Sequence, residues 1–356
     1  MPYLLLVVLI LVLVEVKTRR RYWEEHGVPF QIKRVGEYPY NEFIRECGPP
    51  LHWTLKPDYA SRQVHINTLG QRGPEPETGR RKIWVVGESE LFGAKLSDEN
   101  RIWFRRLQRA LDDGGYDYQV MNASVIGYNA LQTAESFMSL PLERGDLVLV
   151  RPNMNELSLA YMQGAEWQAG TPWPIAFIHK LQRSRPWYHK LLDCSCLATL
   201  VRRRISADDE RARVFTAKPG FQRDRLVGFV IEQLERMVAY AEGRGATVAL
   251  FDAIFSYDRE VQAEDEAKLA AIQSNWRHFV EGWSSEQYDL MDQAVAQVAA
   301  PKGLPVLRTA PHVWRHPLRY RLYLDLVHFN AEGHEVLGDA FFNELCSHGL
   351  LQKGDQ

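Results

Sequence analysis

Cysteine is scarce in this chain, with four residues in 356. That is too few for a disulfide scaffold at this length. Cys194 and Cys196 stand one residue apart, with Cys47 and Cys346 far away, which is not the close Cys/His spacing of a metal site; neither a metal nor an organic cofactor is expected. A pairing of Cys47 or Cys346 with one of the other cysteines stays open, because the compartment is not given. An excess of one charge is also missing. With 43 Lys and Arg against 45 Asp and Glu, the formal net charge is -2, so no global positive field points to nucleic acid. The clusters Arg19-Arg20-Arg21 and Arg202-Arg203-Arg204 are local and read as solvated or membrane-flanking. No internal repeat or low-complexity tract is visible. What is present, 46% hydrophobic and 25% charged residues, is the balance of a folded protein with room for one large domain or two modest ones.

Long apolar runs are absent except at the start. Residues 3–14 form an uninterrupted apolar run, followed by Glu15, Val16, Lys17 and the three arginines. As a helix the run spans about 20 Å, short of the ~30 Å hydrocarbon core of a bilayer. It lacks a basic n-region and a small-residue cleavage site. With no polar face to interrupt it, the run reads as a short membrane anchor or uncleaved signal over residues 1–16, a transmembrane helix. The alternative is a buried first strand or helix. The arginines after the run favour a cytoplasmic C-terminal side.

Residues 17–82 are irregular and rich in Pro, Gly and charge, a lead-in segment packing on the core, with a short strand near Val64-His65-Ile66. From residue 83 the pattern becomes regular. Apolar runs at 83–86, 118–121, 147–150, 247–251 and 305–307 are of the type that forms buried parallel strands. Between them lie helical patterns: Trp103, Phe104, Leu107, Ala110 and Leu111; then Leu226, Val230, Leu234, Met237, Val238 and Ala241; and last Val336, Leu337, Ala340, Phe341 and Leu345. Strands alternating with helices predict an α/β fold with a five-stranded parallel sheet and helices on both faces. Chemistry in such sheets sits at the carboxyl ends of the strands.

Those ends carry a recurring set of residues. Gly87-Glu88-Ser89-Glu90-Leu91-Phe92-Gly93 follows the first strand, and a serine at a tight strand-to-helix turn exposes its hydroxyl beside helix N-terminal amides. As a phosphate cradle this turn lacks the Lys-Ser/Thr of a P-loop. After the second strand, Gly127 can offer an unobstructed amide. After the third, Asn153-Met154-Asn155-Glu156 supplies an uncharged side-chain donor in Asn155, whose bland reading is a helix cap. Near the end, Asp325-Leu326-Val327-His328 places a carboxylate within reach of an imidazole, the base that an ordinary serine hydroxyl needs. His312, His316 and His334 keep an ordinary structural reading.

These blocks resemble the SGNH (GDSL-type) hydrolases, named for Ser, Gly, Asn and His in four separated blocks. The resemblance covers residues 83–156 and 320–346, and its most specific element is Asp325-x-x-His328-Phe329-Asn330-x-Glu332-Gly333-His334. The stretch Ile66–Glu75 resembles the lead-in of membrane-anchored members. The resemblance implies a three-layer, flavodoxin-like α/β/α domain over 83–350 with an insert at about 157–224. It implies Ser89 as nucleophile, His328 as general base and Asp325 as its orienting acid, with Ser89 N–H, Gly127 N–H and the Asn155 side chain as oxyanion hole. Three departures stand out: Glu88 and Glu156 replace Asp, and Asn153 replaces Gly. A Cβ at 153 is expected to narrow the site or shift Asn155.

The expected activity is hydrolysis of an ester through an acyl-enzyme, with a small-molecule or carbohydrate ester as substrate, a membrane contact and no nucleic acid. Deacetylation of an envelope carbohydrate by an extracytoplasmic body is the favoured form; an O-acyltransferase and a catalytically weak glycan- or partner-binding scaffold are the alternatives. Trp167, Trp173, Trp187 and Tyr188 in the insert are either stacking surfaces for substrate or ordinary core.

Overall fold

The computed structural model describes residues 2–26, 40–96, 98–174, 195–198, 201, 219–252, 285–317, 319–324 and 327–353. Helix α1 (Pro2–His26) opens the chain. The apolar run therefore forms only the first half of a longer helix, which continues because Glu, Lys and Arg are good helix formers and the ion pairs Glu15–Arg19 and Arg20–Glu24 sit at i,i+4. Tyr3 and Leu5–Val14 are exposed. No helix among the described residues is long and apolar enough to cross a membrane. The transmembrane expectation therefore finds no support here: Glu15, Lys17 and the arginines follow the apolar run within the same helix.

The lead-in then forms α2 (Tyr40–Phe43), an antiparallel pair β1 (Ile44–Glu46) and β2 (Trp53–Leu55), and a second pair β3 (Tyr59–Ala60) and β4 (His65–Ile66). It is more ordered than its composition suggested, and it joins the main sheet through an antiparallel bridge between Arg72 and Asn122.

The main sheet has five parallel strands: β5 (Arg81–Val86), β6 (Tyr118–Asn122), β7 (Leu147–Val150), β8 (Thr247–Phe251) and β9 (Val306–Leu307), in the order β6-β5-β7-β8-β9. Alternate side chains divide between two faces. Trp84, Val86, Val148, Val150, Val248 and Leu250 meet α5 (Ala130–Phe137), α6 (Met154–Gln163), α7 (Arg223–Gly243) and α8 (Ser285–Lys302). On the other face Ile83, Val85, Leu147, Leu149, Ala249 and Phe251 meet α4 (Trp103–Asp113), α9 (Ala310–Trp314) and α10 (Ala331–Ser347). That is a three-layer α/β/α domain, and burial on both faces is why the strands read as unbroken apolar runs. In register, Val85 pairs with Asn122 and Val86 with Val150, so the loops after β5, β6 and β7 leave the sheet side by side. Cys47, Cys196 and Cys346 form no disulfide; Cys194 lies outside the described residues.

Arg72 ties the lead-in to this edge. Its fully buried guanidinium donates to the carbonyls of Phe92 at 3.0 Å, Gly93 at 2.7 Å, Gln63 at 2.9 Å and Leu96 at 3.3 Å, and pairs with Glu99 at 3.0 Å. It satisfies carbonyls at the end of the short helix α3 (Ser89–Phe92), which begins with the serine picked out in the sequence. Removing it leaves those acceptors and Glu99 uncompensated. Arg72→Ala is expected to lower the unfolding free energy by about 3–5 kcal/mol in urea titration; a loss below about 1 kcal/mol would show that water takes over these bonds.

Candidate active site

The turn that carries Ser89 is built from residues with separate tasks. A Cβ at Gly87 would lie 2.4 Å from Leu91 Cδ1, so a larger residue there would have to displace the Leu91 side chain packed against the turn. Glu88 occupies the cap position of α3 without capping it. Its carboxylate crosses to the next strand end, where it accepts from the Met154 N–H at 2.8 Å and from the Asn155 N–H, and pairs with the buried Arg151. Burial raises the Glu88 pKa, and Arg151 and the two amides oppose that rise. Glu90 also contacts Arg151, and its Oε2 lies 3.4 Å from Ser89 Oγ.

Ser89 Oγ lies 2.9 Å from His328 Nε2. Thus two residues 239 positions apart form the hydrogen-bonded pair that a base-activated hydroxyl requires. His328 is held by a turn that closes through Leu324 N–H to His328 O at 2.7 Å and by a bridge between Tyr323 and Phe329. Immediately after it, Asn330 caps α10 by accepting from Gly333 N–H at 3.0 Å. Asp325 lies outside the described residues.

Gly127 has φ 76°, a left-handed conformation that glycine adopts without strain. Asn155 Nδ2 donates to Tyr128 O at 3.0 Å, which fixes the amide plane and leaves its second N–H. Asn153 does not narrow the site. Its backbone, at φ -86° and ψ 119°, is ordinary extended chain that needs no glycine. Its side chain is buried: Oδ1 caps α6 by accepting from Glu156 N–H at 2.9 Å, while Nδ2 donates to Tyr128 O at 3.1 Å and Thr133 Oγ1 at 2.9 Å. The substitution expected to disturb Asn155 instead braces the carbonyl that orients it. Glu156 reaches the next loop, accepting from Ala130 N–H at 3.2 Å, Trp167 Nε1 at 3.0 Å and Gly170 N–H at 3.3 Å. Trp167 is therefore core and Trp173 is half-buried; Trp187 and Tyr188 lie outside the described residues.

The structure thus brings Ser89, His328, Gly127 and Asn155 to one end of the sheet. Sequence reasoning missed Arg151 and Glu90. The available signal was three charged residues, Glu88, Glu90 and Arg151, directly after the apolar runs of adjacent strands. Among the described residues no group of His, Cys, Asp and Glu is arranged to hold a metal ion.

Neither a protein-family model nor a curated protein matches the chain. Among solved structures it is similar to a lipase/acylhydrolase from Enterococcus faecalis, at 15% identity and a TM-score of 0.44 over 78% of this chain and 100% of that one. It is also similar to a psychrotrophic esterase from Pseudoalteromonas sp., at 10% identity and a TM-score of 0.39 over 76% and 99%. A GDSL-like lipase from Bacteroides thetaiotaomicron aligns at 12% identity and a TM-score of 0.40 over 78% and 93%. Likenesses this distant assign no activity to the chain.

Two buried titratable groups border the site and act on stability in opposite senses. His334 is fully buried, neither ring nitrogen has a hydrogen-bond partner among the described residues, and burial, with Arg72 and His328 nearby, pushes its pKa down to about 3. The unfolded chain takes up that proton first, so the contribution is complete above about pH 6.5 and is lost as pH falls toward about 3. His334→Leu is expected to flatten the acid limb by up to about 1.4 kcal/mol per pH unit, read from urea midpoints between pH 4 and 6.5; an unchanged limb would mean that the imidazole hydrates. For Glu156, burial raises the pKa to about 7 against the pull of Ala130, Gly170 and Trp167. Here the folded state holds the proton, so stability is full below the ordinary carboxylate range and declines as pH rises through about 7. Thermal midpoints of Glu156→Gln are expected to lack the decline that the wild type shows between pH 5 and 8.

Proposed function

We propose that this chain is a serine esterase of the SGNH (GDSL-type) class. The observation that carries the reading is the 2.9 Å contact between Ser89 Oγ and His328 Nε2, at the strand ends that also bear Gly127 and Asn155. Ser89 Oγ attacks the ester carbonyl as its proton passes to His328 Nε2. The carbonyl oxygen becomes an oxyanion facing Ser89 N–H, Gly127 N–H and Asn155 Nδ2, donors that gain most when charge develops. Collapse breaks the ester C–O bond, and His328 returns its proton to the departing alcohol. Water then attacks the acyl-enzyme with His328 again as base, releasing the carboxylic acid and restoring Ser89. Asp325, three residues before His328, is assigned to fix the imidazole tautomer.

The favoured substrate is an acetylated carbohydrate of the cell envelope, met by an extracytoplasmic body that α1 holds at the membrane. Support for the membrane contact is the exposed apolar stretch Leu5–Val14 beside Arg19–Arg21. The binding-scaffold alternative loses its motivating feature, since Asn153 braces the Tyr128 carbonyl rather than displacing Asn155.

The test is labelling by a fluorophosphonate, with the adduct located by mass spectrometry. The full chain is expected to be labelled at Ser89, Ser89→Ala to be unlabelled, and His328→Ala to lose at least about 10³-fold in labelling rate. A folded wild-type protein that takes no label would remove the esterase reading.

A further inference from the structure

On the esterase reading above, we propose that Trp53, a lead-in residue outside every motif of the site, is a positioning residue that aims the Gly127 N–H of the oxyanion hole. Trp53 is fully buried and packs among Phe43, Ile66, Phe92, Val125, Ile126 and Tyr128. Its indole N–H, which must find an acceptor once buried, donates to the Ile126 carbonyl at 3.0 Å. That carbonyl belongs to the peptide whose other end is the Gly127 N–H. The bond is trans, the cis peptide among the described residues being Pro49-Pro50, and in a trans peptide C=O and N–H point in opposite directions. Holding Ile126 O against Trp53 therefore turns the Gly127 N–H away from the lead-in.

The flanking residue is held by the same tryptophan. Tyr128 Oη donates to Trp53 O at 2.6 Å, and the two rings lie 5.8 Å apart at 53°. Burial raises the Tyr128 pKa, so the hydroxyl remains a donor. From the opposite side, Asn153 Nδ2 and Asn155 Nδ2 both donate to Tyr128 O, at 3.1 Å and 3.0 Å. Gly127 needs this restraint. At φ 76°, with no Cβ, it offers little resistance to a flip of the peptide before it, and such a flip would turn the amide away from the oxyanion. Its neighbours on both sides are clamped, and Trp53 supplies the lead-in half of the clamp.

Trp53→Phe keeps an aromatic ring and deletes the indole donor. Deleting an oxyanion-hole donor outright costs about 10²–10³-fold; a misdirected donor remains present, so the expected loss is about 10-fold in kcat on p-nitrophenyl acetate. KM is expected to stay within about 2-fold, because ground-state binding does not use the oxyanion contact. Affinity for a trifluoromethyl ketone, which adds to the serine as a hemiketal oxyanion, is expected to fall by the same factor as kcat. If Trp53→Phe does not fold, Tyr128→Phe, which removes only the hydroxyl bond to Trp53 O, carries the test with the same pattern expected. A variant that folds, with kcat and ketone affinity equal to wild type while wild type is labelled by fluorophosphonate, overturns the role of Trp53 alone. So does an equal rise in KM with kcat unchanged. A wild-type protein inert to both the ester and the fluorophosphonate overturns the esterase reading and this role with it.

Discussion

The geometry of the site depends on the Glu88 carboxylate. It leaves the turn that carries Ser89 and accepts from two amides at the start of α6. The turn that carries Ser89 and the helix that carries Asn155 are thereby fixed to each other by one side chain. Burying that charge is expensive, and the expense appears as the raised pKa of Glu88. Arg151 offsets it, and is itself fully enclosed between Glu88 and Glu90. Buried pairs of this kind add little net stability compared with an apolar filling, whereas removing one partner is strongly destabilising. The cluster is better understood as setting position. The Glu88 side chain is long enough for the crossing, because its partners are backbone amides one strand away.

From that contact the bracing spreads loop to loop. Asn153 and Asn155 hold the Tyr128 carbonyl, Glu156 holds the first amide of α5, and the lead-in holds Ile126 and Tyr128 from outside. Each brace joins a side chain to a backbone group of a neighbouring loop. Such bonds fix peptide planes, and the plane of a peptide decides where its N–H points and which developing charge it can meet. The three loops can be mutually braced because the register of β5 with β6 and β7 ends all three strands at one level.

Much of this was legible in the sequence, for a definite reason. Strands buried on both faces must be apolar throughout, so β5 to β9 stand out as runs, and residues placed just past each run are necessarily at the strand ends. Ser89, Gly127 and Asn155 stand at such positions. Asn153 shows the limit of the method: a side chain so near Asn155 suggests a clash, but φ and ψ there are ordinary and the side chain turns inward. Arg72, Trp53 and Glu88 act on groups 9 to 73 positions away, and no local periodicity records such partners. The apolar run does not mark the end of α1, because hydropathy changes at Glu15 while helix propensity does not.

That change of hydropathy within one helix bears on how the domain is presented. Glu15 accepts from Ser195 Oγ at 2.8 Å and from the amides of Cys196 at 2.7 Å and Leu197 at 3.1 Å. Burial works to raise its pKa, but the three donors and Arg19 outweigh it and leave the carboxyl below its ordinary value. Tyr22 and Cys196 are buried in the same cluster as Leu91 of α3 and Ile102. The charged half of α1 thus meets the insert through Glu15 and buries Tyr22 in the apolar cluster on one face of the sheet, while Leu5–Val14 stand exposed on all sides. A helix apolar around its whole circumference is at home in lipid or in a protein core. Glu15 stands where the two halves meet, its three donors on the insert holding the charged half in place.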